Sequence, residues 1–376
     1  METVDYLIRN GRVIDCYNHT DAIQDIAVKD GVIVPSQQAE AAQVVDASDC
    51  VVIPGLIDFH CHVASRITAL GIEAESSYFP MGVTTAVDAG STGVDNYLAF
   101  RNASFSQHLR IKAFLNLCAA GLVTNAYHED IAPEHMKKKQ MLLFLRQYSD
   151  QLLGLKVRQS AEIAEGSGLE PLRALLEVAE EANVPVVVHT TNPPELAEHI
   201  AELLRPGDVY AHVYQGKGRT VIRDQHVIPE FFAHQRRGVI FDAANGMNHF
   251  SLDVAQTCLA EGFLPDVIST DLTVKTVFKP GKVFSLPFIM SKYLALGMSL
   301  KEIVQRTTTT PARLLGAEKE LGSLSVGTCA DITILRPIAH STTFVDFAGQ
   351  SIQGSQLLKT ELTMRAGDVV FRQIDF

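Results

Sequence analysis

The sequence has few cysteines and no long apolar run, and each shortage excludes a class of protein. Six cysteines are scattered without a Cys-x-x-Cys pair or a repeating spacing, and a chain of 376 residues does not need disulfide staples. No stretch reaches the roughly 18 uninterrupted apolar residues that span a bilayer. Residues 1–5 also lack the basic segment of a secretory signal. We expect a soluble, cytoplasmic protein with reduced thiols and no membrane partner.

The chain also lacks a basic excess. It carries 43 acidic and 32 basic residues, and its formal net charge of -11 is spread along the sequence. General nucleic-acid binding needs a basic surface to neutralise phosphates, so this balance argues against it. With 47% apolar residues the chain is too hydrophobic to be disordered, and it is long enough for one large barrel and a smaller unit.

Both ends of the chain contain short apolar runs that predict short strands. An Asn-Gly pair at Asn10 and Gly11 sits between two apolar runs and predicts a hairpin over 6–15, and a second hairpin is predicted over 26–34. Similar runs recur at 330–335 and 363–371. We predict one small β-sandwich domain formed by 1–51 and 321–376, with a separate domain over 52–320.

The middle of the chain alternates short β-branched runs with longer amphipathic stretches, the pattern of an α/β protein with a parallel sheet. Helical spacing of leucines and isoleucines predicts helices over 169–182 and 194–204. Eight such strands favour a closed (β/α)8 TIM-type barrel over the alternative, a doubly wound open sheet. The predicted strands are 52–62, 83–88, 110–117, 152–157, 184–189, 209–212, 239–242 and 267–270.

Polar side chains that can bind metal close several of these strands. His60 and His62 alternate along the first strand, so both imidazoles point to the same side. Lys156 lies inside an apolar strand, where an ammonium is usually paired, deprotonated or chemically modified, although a lysine can also reach solvent from a strand end. A neutral amine can add carbon dioxide to form a carbamate.

Three further residues end later strands. His189 and His212 each close an apolar run that follows a helix, and Asp271 closes the last strand. Alone, each has an ordinary explanation, such as a structural histidine or a helix N-cap. Together, four histidines, one lysine and one aspartate end strands one, four, five, six and eight, and in a parallel barrel those ends form one functional face.

With these residues in place, the chain resembles the amidohydrolase superfamily, and within it the dihydroorotase-related group that contains deacetylases. The resemblance covers nearly the whole chain. The shared segments are Val-Ile-Pro-Gly-Leu-Ile-Asp-Phe-His-Cys-His at 52–62, Gly-Val-Thr-Thr at 82–85, Thr-Pro-Ala-Arg-Leu-Leu-Gly at 310–316 and Gly-Ser-Leu-Ser-Val-Gly-Thr-Cys-Ala-Asp-Ile at 322–332.

The resemblance implies two divalent metal ions, usually zinc. His60, His62 and Asp271 would hold one ion and His189 and His212 the other, with a carboxylated Lys156 and a hydroxide bridging them. In the implied reaction the bridging hydroxide attacks the substrate carbonyl, and Asp271 takes its proton and passes it to the leaving group. Cys61, between the two histidines, is expected to point away from the metals.

Two features depart from related sequences, the first from dihydroorotases and the second from the glycine-rich loop expected after the seventh strand in deacetylase-like relatives. Relatives that bind a substrate carboxylate often carry arginine two residues after the second histidine, whereas this chain has Ala64 and only a nearby Arg66. The loop 242–250 is built from small residues, which suggests close approach of the backbone to a ligand. Its candidate substrate contacts are Asn245, Asn248 and His249, with an ordinary βα loop as the alternative.

The leading hypothesis is a hydrolase that removes a small acyl group from an amine or a hydroxyl of a small molecule. The segment 154–158 around Lys156 resembles the deacetylase-like branch. The alternatives are a cyclic amidase resembling dihydroorotase or hydantoinase, a mononuclear base deaminase, which normally lacks the bridging lysine, and a non-catalytic scaffold, which characteristically loses metal ligands. Similar enzymes are commonly homo-oligomers, and we expect one here.

Overall fold

The fold was derived from a computed structural model that describes residues 3–37, 39–104, 108–123, 129–164 and 166–376. In that part of the chain the strands are β1 (Val4–Arg9), β2 (Arg12–Asp15), β3 (Thr20–Ile23), β4 (Ile26–Lys29), β5 (Val32–Val34), β6 (Ala41–Asp46), β7 (Val51–Pro54), β8 (Leu56–Cys61), β9 (Val83–Asp88), β10 (Arg110–Asn116), β11 (Leu152–Arg158), β12 (Val186–His189), β13 (Val209–Ala211), β14 (Ile222–Arg223), β15 (His226–Val227), β16 (Ile240–Asp242), β17 (Ile332–Val345), β18 (Ser351–Arg365) and β19 (Asp368–Arg372).

The helices surround the central strands. They are α1 (Ala74–Tyr78), α2 (Tyr97–Ser104), α3 (Lys138–Gln147), α4 (Ala161–Ala164), α5 (Glu170–Ala182), α6 (Ala197–Leu203), α7 (Pro229–Arg236), α8 (Leu252–Ala260), α9 (Leu286–Ala295), α10 (Leu300–Thr307) and α11 (Thr309–Leu314), with 3-10 turns at Phe79–Met81 and Pro133–His135. Within the described ranges, no helix combines the length and apolar character needed to cross a bilayer.

A curled sheet of seven parallel strands forms the centre of the fold. Its order is β8-β9-β10-β11-β12-β13-β16, so each strand pairs with the next central strand along the chain. Seven of the eight predicted strands thus correspond to a strand of this sheet, although the first of them contributes only 56–61 of its predicted range 52–62. Most of their residues are buried, as expected when helices cover one face of a parallel sheet and its other face packs on itself.

The segment 267–272, where the eighth strand is predicted, connects the two edges of this sheet. Val267 forms a parallel bridge with Asp242 at the end of β16, and Leu272 forms one with Cys61 at the end of β8. The amide of Asp271 also donates to the carbonyl of His60 at 2.7 Å. The segment makes isolated bridges rather than a continuous ladder, but an open doubly wound sheet has no such connection between its edges.

The single strand predicted over 52–62 is wrong. The chain forms β7 up to Pro54 and starts β8 at Leu56, and the two strands belong to different sheets. Because both strands are apolar throughout, the sequence reads as one continuous run. The break at Gly55 transfers the chain from the terminal sheet to the central sheet, so residues 51–54 pack with the chain ends.

Strands from the two chain ends pack together, as their similar sequence patterns suggest. A six-stranded sheet has the order β19-β18-β17-β7-β2-β3, and a four-stranded sheet has the order β5-β4-β1-β6. Side chains from both sheets, among them Ile8, Val28, Val52, Ile334 and Leu362, share one hydrophobic core. The domain limits 1–51 and 321–376 stay a prediction.

The hairpin predicted over 6–15 is wrong. The strands on either side of Asn10 and Gly11 do not pair, because β1 lies in the four-stranded sheet and β2 in the six-stranded sheet. Asn10 has a positive φ of 63°, so the turn chemistry is present but carries the chain between sheets. The second hairpin is confirmed, since β4 and β5 pair antiparallel with Ala27 opposite Val34.

The helices bury the faces that their spacing predicts. α5 buries Leu172, Leu175 and Ala179, and it ends at Asn183, whose φ of 53° provides a left-handed C-cap. α6 is shorter than the predicted 194–204, because it begins only at Ala197. Each helix precedes a central strand that ends at, or one residue before, a histidine predicted to bind metal.

We predict that Gly154→Ala destabilises the protein through the strand that carries Lys156. A methyl group at Gly154 would lie 2.1 Å from the carbonyl oxygen of Pro185, a backbone atom of the neighbouring strand connection. The free energy of unfolding should fall by about 3 kcal/mol in chemical denaturation, as for other overpacked interiors.

Gly262→Ala is the control for this substitution. A methyl group there meets no atom within 4 Å, but the φ of +79° is unfavourable for alanine. We expect a loss of only about 1 kcal/mol from the backbone conformation. Equal losses in the two variants would contradict the packing argument.

Candidate metal centre

A cavity of about 230 Å³ opens at the carboxyl ends of the central strands. Its lining includes five of the six residues predicted to bind metal, while His212 lies buried behind it. The lining residues are His60, His62, Leu70, Ala89, Asn116, Leu122, Lys156, Arg158, His189, Met247, Asn248, His249, Asp271, Thr273 and Lys275.

The Nδ1 atoms of His60 and His62 contact hydrogen-bond networks that contain a carboxylate. The Nδ1 of His60 lies 3.1 Å from Asp242 Oδ2, and the Nδ1 of His62 lies 2.8 Å from Ser91 Oγ. Ser91 in turn donates to Asp88 at 2.7 Å, so its oxygen is free to accept from the His62 Nδ1–H. In both rings the Nε2 atom is thereby left as the free ligand.

The second group of imidazoles contains three histidines. His212 donates from Nδ1 to the Ala244 carbonyl at 2.7 Å, and its buried Nε2 has no hydrogen-bond partner in the described part of the chain. The Nδ1 of His249 lies 2.8 Å from Thr191 Oγ1. The ring centroids of His189 and His212 are 4.3 Å apart, and those of His189 and His249 are 4.9 Å apart.

Lys156 is buried in β11 at the base of the cavity. Among the residues that the structure describes, its Nζ atom has no hydrogen-bond partner. Burial lowers the pKa of Lys156 to about 8, although Asp271 and Asp242 oppose this shift. The amine is therefore poised to lose its proton, which makes its nitrogen a nucleophile near neutral pH.

Asp271 faces the histidines from the segment that connects the sheet edges. Its Oδ1 lies 3.1 Å from His62 Nε2, and its Oδ2 lies 3.7 Å from His249 Nε2. Burial would raise its pKa, but the neighbouring imidazoles of His62, His212 and His249 lower the pKa of Asp271 to about 2. The carboxylate is therefore ionised near neutral pH.

Two of the residues predicted to bind metal have a backbone in the left-handed region. His212 has a φ of 67° and Asp271 a φ of 52°. Such conformations cost about 1–2 kcal/mol per non-glycine residue, so surrounding structure must hold them. In this backbone conformation both side chains point into the same space.

Burial keeps the imidazoles neutral. It lowers the pKa of His60, His189 and His212 well below the ordinary value for histidine, and it lowers the pKa of His249 to about 4. Neutral imidazoles offer lone pairs, which is the form that binds metal.

The donor set fits divalent metal. The potential ligand atoms form two groups, His60 with His62 and Asp271, and His189 with His212 and His249, and within each group they lie within 4.8 Å of one another. Because the Nδ1 of His62 is used by Ser91, its Nε2 lone pair faces the Asp271 carboxylate, and a proton or cation must lie between them. Imidazole and carboxylate are ligands that suit zinc.

The structure separates the candidate substrate contacts. Asn248 and His249 line the cavity, whereas Asn245 is fully buried and donates from Nδ2 to the Ser269 carbonyl at 2.9 Å. Asn245 therefore does not reach the cavity. The backbone of this loop comes close to Asp271 at Gly246. A methyl group there would lie 2.4 Å from Asp271 Oδ2.

Cys61 and the neighbouring alanine behave as side chains of the packed interior. The Cys61 thiol is buried and donates to the Val87 carbonyl, on the side away from the two histidines. All six cysteines are free thiols. Ala64 is buried as well, and Arg66 is exposed and paired with Glu73 at 3.1 Å, outside the cavity.

Sequence reasoning missed several residues that shape the site. Asp242 ends β16 with the same strand-closing position as the ligands, so that position was the available signal. Arg158 follows Lys156 at the same-face spacing of a strand, a second available signal. The contact of Ser91 with His62 joins residues 29 positions apart, and no local pattern announces it.

We predict that Asp242→Ala weakens zinc binding because it releases the Nδ1 side of His60. Loss of such an orienting carboxylate should lower zinc affinity by about 10–100-fold, measured by competition with a chromogenic chelator. Asp266→Ala is the control, because Asp266 is also largely buried but accepts from Phe241 and Gln235 rather than from histidine. Equal affinity in the two variants would show that Asp242 does not orient His60.

Comparison with known proteins agrees with this arrangement. The sequence pattern of the amidohydrolase family matches residues 51–369. A protein from Brucella anthropi named deacetylase is 35% identical over 324 residues, which cover 84% of this chain and 80% of that protein.

Two solved structures have the same fold over almost the full length. A structure described as an adenine deaminase has a TM-score of 0.90 and 25% identity, covering 98% of this chain and 100% of its own. A structure described as a dihydroorotase has a TM-score of 0.89 and 30% identity, covering 98% of both chains. The chain belongs to the amidohydrolase family.

Proposed function

We propose that the protein is a metal-dependent hydrolase that removes a small acyl group from an amine or hydroxyl of a small molecule. The observation that carries the proposal is the convergence of four histidines, Asp271 and a buried, unpartnered Lys156 around one cavity. The Brucella anthropi relative named deacetylase supports the acyl class. We also infer that the seven parallel strands and 267–272 together form the (β/α)8 barrel.

The residues that would hold metal follow from the two ligand groups. His60, His62 and Asp271 would hold one divalent cation and His189 and His212 a second, with Lys156 between the two groups. When bound, such cations would lower the pKa of a water molecule and polarise the substrate carbonyl.

Lys156 would complete this centre as a carbamate. Its neutral amine would attack carbon dioxide, form a carbon–nitrogen bond and release one proton. The product carries two oxygens on the new carbamate carbon and one negative charge, which converts an uncharged donor into an anionic ligand. The amine lacks a hydrogen-bond partner among the described residues, so the modification replaces no existing contact.

Asp271 would move the proton in this reaction. A carboxylate with a low pKa accepts a proton only transiently, so it can take one from the attacking water and release it to the leaving nitrogen or oxygen. His249 lies next to Asp271 and lines the cavity, where its position suits contact with substrate.

A cyclic amidase is the second candidate, because the dihydroorotase structure matches 98% of the chain. At the position where that class often carries an arginine, this chain has Ala64, which is buried. The nearby Arg66 does not replace that arginine, because its side chain is exposed to solvent. A base deaminase, as in the adenine deaminase structure, normally works without the bridging lysine, so Lys156 argues against it.

Substitution of Lys156 tests the two-metal centre. The wild type should contain about two divalent ions per chain, and Lys156→Ala should retain one or none. Turnover should fall by about 10³-fold or more, because several kcal/mol of stabilisation depend on the bridged ions. Metal content is measured by elemental analysis of folded, dialysed protein.

Lys292→Met is the matched control. Lys292 is also buried, but its amine lies 3.5 Å from the centroid of the Phe250 ring, outside the cavity lining. This variant should keep the metal content of the wild type even if it is less stable. A Lys156→Ala enzyme that keeps both ions and full turnover would contradict the bridging role.

A substrate panel separates the candidate activities. We expect turnover of acylated amino acids or acylated hydroxy acids, and none of dihydroorotate, hydantoins or adenine, in metal-loaded wild-type enzyme. The panel is read by release of acid, amine or ammonia. Faster turnover of a cyclic amide than of every acylated compound would replace the proposed function by the second candidate.

A further inference from the structure

Arg158 brings a permanent positive charge to the cavity of an acidic protein. It is the last residue of β11, two residues after Lys156, so strand alternation places both side chains on the same face. Both line the 230 Å³ cavity. The metal centre does not use this guanidinium.

A buried carboxylate fixes one side of the guanidinium. Arg158 Nη1 donates to Glu129 Oε2 at 2.9 Å, and Glu129 also accepts from Asn116 Nδ2. The Glu129 side chain is buried, whereas Arg158 keeps 32% of its side chain exposed. Within the described residues the other guanidinium N–H groups have no partner, so they remain available to a planar oxyanion.

A second cation lines the same cavity. Lys275 is exposed, and its ammonium has no partner in the ranges that the structure describes. An adjoining pocket of about 310 Å³ shares Lys275 and adds Lys279 and Lys282. Among the described lining residues of the inner cavity, Asp271 is the one carboxylate, and it is already engaged by His62. The site is locally basic although the chain has a net charge of -11.

We propose that Arg158 determines substrate specificity by binding a carboxylate of the substrate, with Lys275 attracting the same group from the rim. The inference rests on the proposed deacylase function and narrows its substrate class to acylated amino acids or acylated hydroxy acids. Glu129 is the positioning residue that holds the guanidinium. Arg158 thus supplies the cation that Ala64 and Arg66 do not.

Matched acid and amide substrates test this role. Wild-type enzyme should prefer N-acetylalanine to N-acetylalaninamide, and O-acetyl-lactate to O-acetyl-lactamide, in kcat/KM. Arg158→Gln should lower kcat/KM for the acids by about 100-fold, mainly through KM, because a charge-assisted pair is lost. Turnover of the two amides should not change.

Two variants control for charge and for folding. Arg146→Gln removes the same charge from an exposed position on α3, beside a different cavity at the amino end of β11, and should change neither substrate class. The double variant Arg158→Gln/Glu129→Gln removes both members of the ion pair, so no buried carboxylate is left without its partner. It should show the same selective loss for acids.

A binding measurement separates this inference from the proposed function. Calorimetric titration of Asp271→Asn with N-acetylalanine should show binding that is weakened about 100-fold when Arg158→Gln is added. If wild-type enzyme hydrolyses none of the four compounds but this Arg158-dependent binding is present, the deacylase function fails and the anion site stands. Equal losses for acids and amides, or no loss for acids, would overturn the role of Arg158.

Discussion

Burial of the Lys156 amine is the constraint on which the site depends. The strand β11 lies in the middle of the parallel sheet, with Asn116 and Val187 opposite Lys156 on the two neighbouring strands. A buried donor without a partner costs about 1–3 kcal/mol, so its retention needs a compensating gain. The surrounding imidazoles carry no negative charge that could pair with an ammonium, and burial keeps them neutral by lowering their pKa. Carbamate formation would provide it, since the unpartnered amine would become a singly charged carbamate whose two oxygens could bind metal.

Hydrogen bonds at Nδ1 orient most of the imidazoles around that amine. The Nδ1 atoms of His60, His62, His212 and His249 contact Asp242, Ser91, the Ala244 carbonyl and Thr191, respectively. Each contact fixes a ring and leaves its Nε2 free, so little reorganisation is needed when metal binds. The left-handed backbone at His212 and Asp271 shows that the fold accepts local strain to complete the same arrangement. These orienting groups come from strands, loops and both edges of the sheet, so the site depends on the fold as a whole.

Much of this centre could be predicted because parallel strands end at one edge. His60 and His62 follow from strand alternation, and Lys156 from the cost of an amine in an apolar run. The eighth strand and the Asn10-Gly11 hairpin were harder, because an isolated bridge and a paired strand have the same local pattern, and so do a hairpin turn and a turn between sheets. Asn245 and Asn248 lie three residues apart in a loop of small residues, and only the folded backbone decides which one faces the cavity. The Arg158 contact with Glu129 joins residues 29 positions apart and has no local signal.

Detection of the carbamate tests the central claim most directly. Metal-loaded protein would be equilibrated with ¹³C-labelled carbon dioxide and its carbamate carbon observed by NMR. The account predicts one labelled carbamate per chain, present in wild-type protein and in Lys292→Met but absent from Lys156→Ala. A wild-type protein that binds two divalent ions without any carbamate signal, or a signal that persists in Lys156→Ala, would contradict the account.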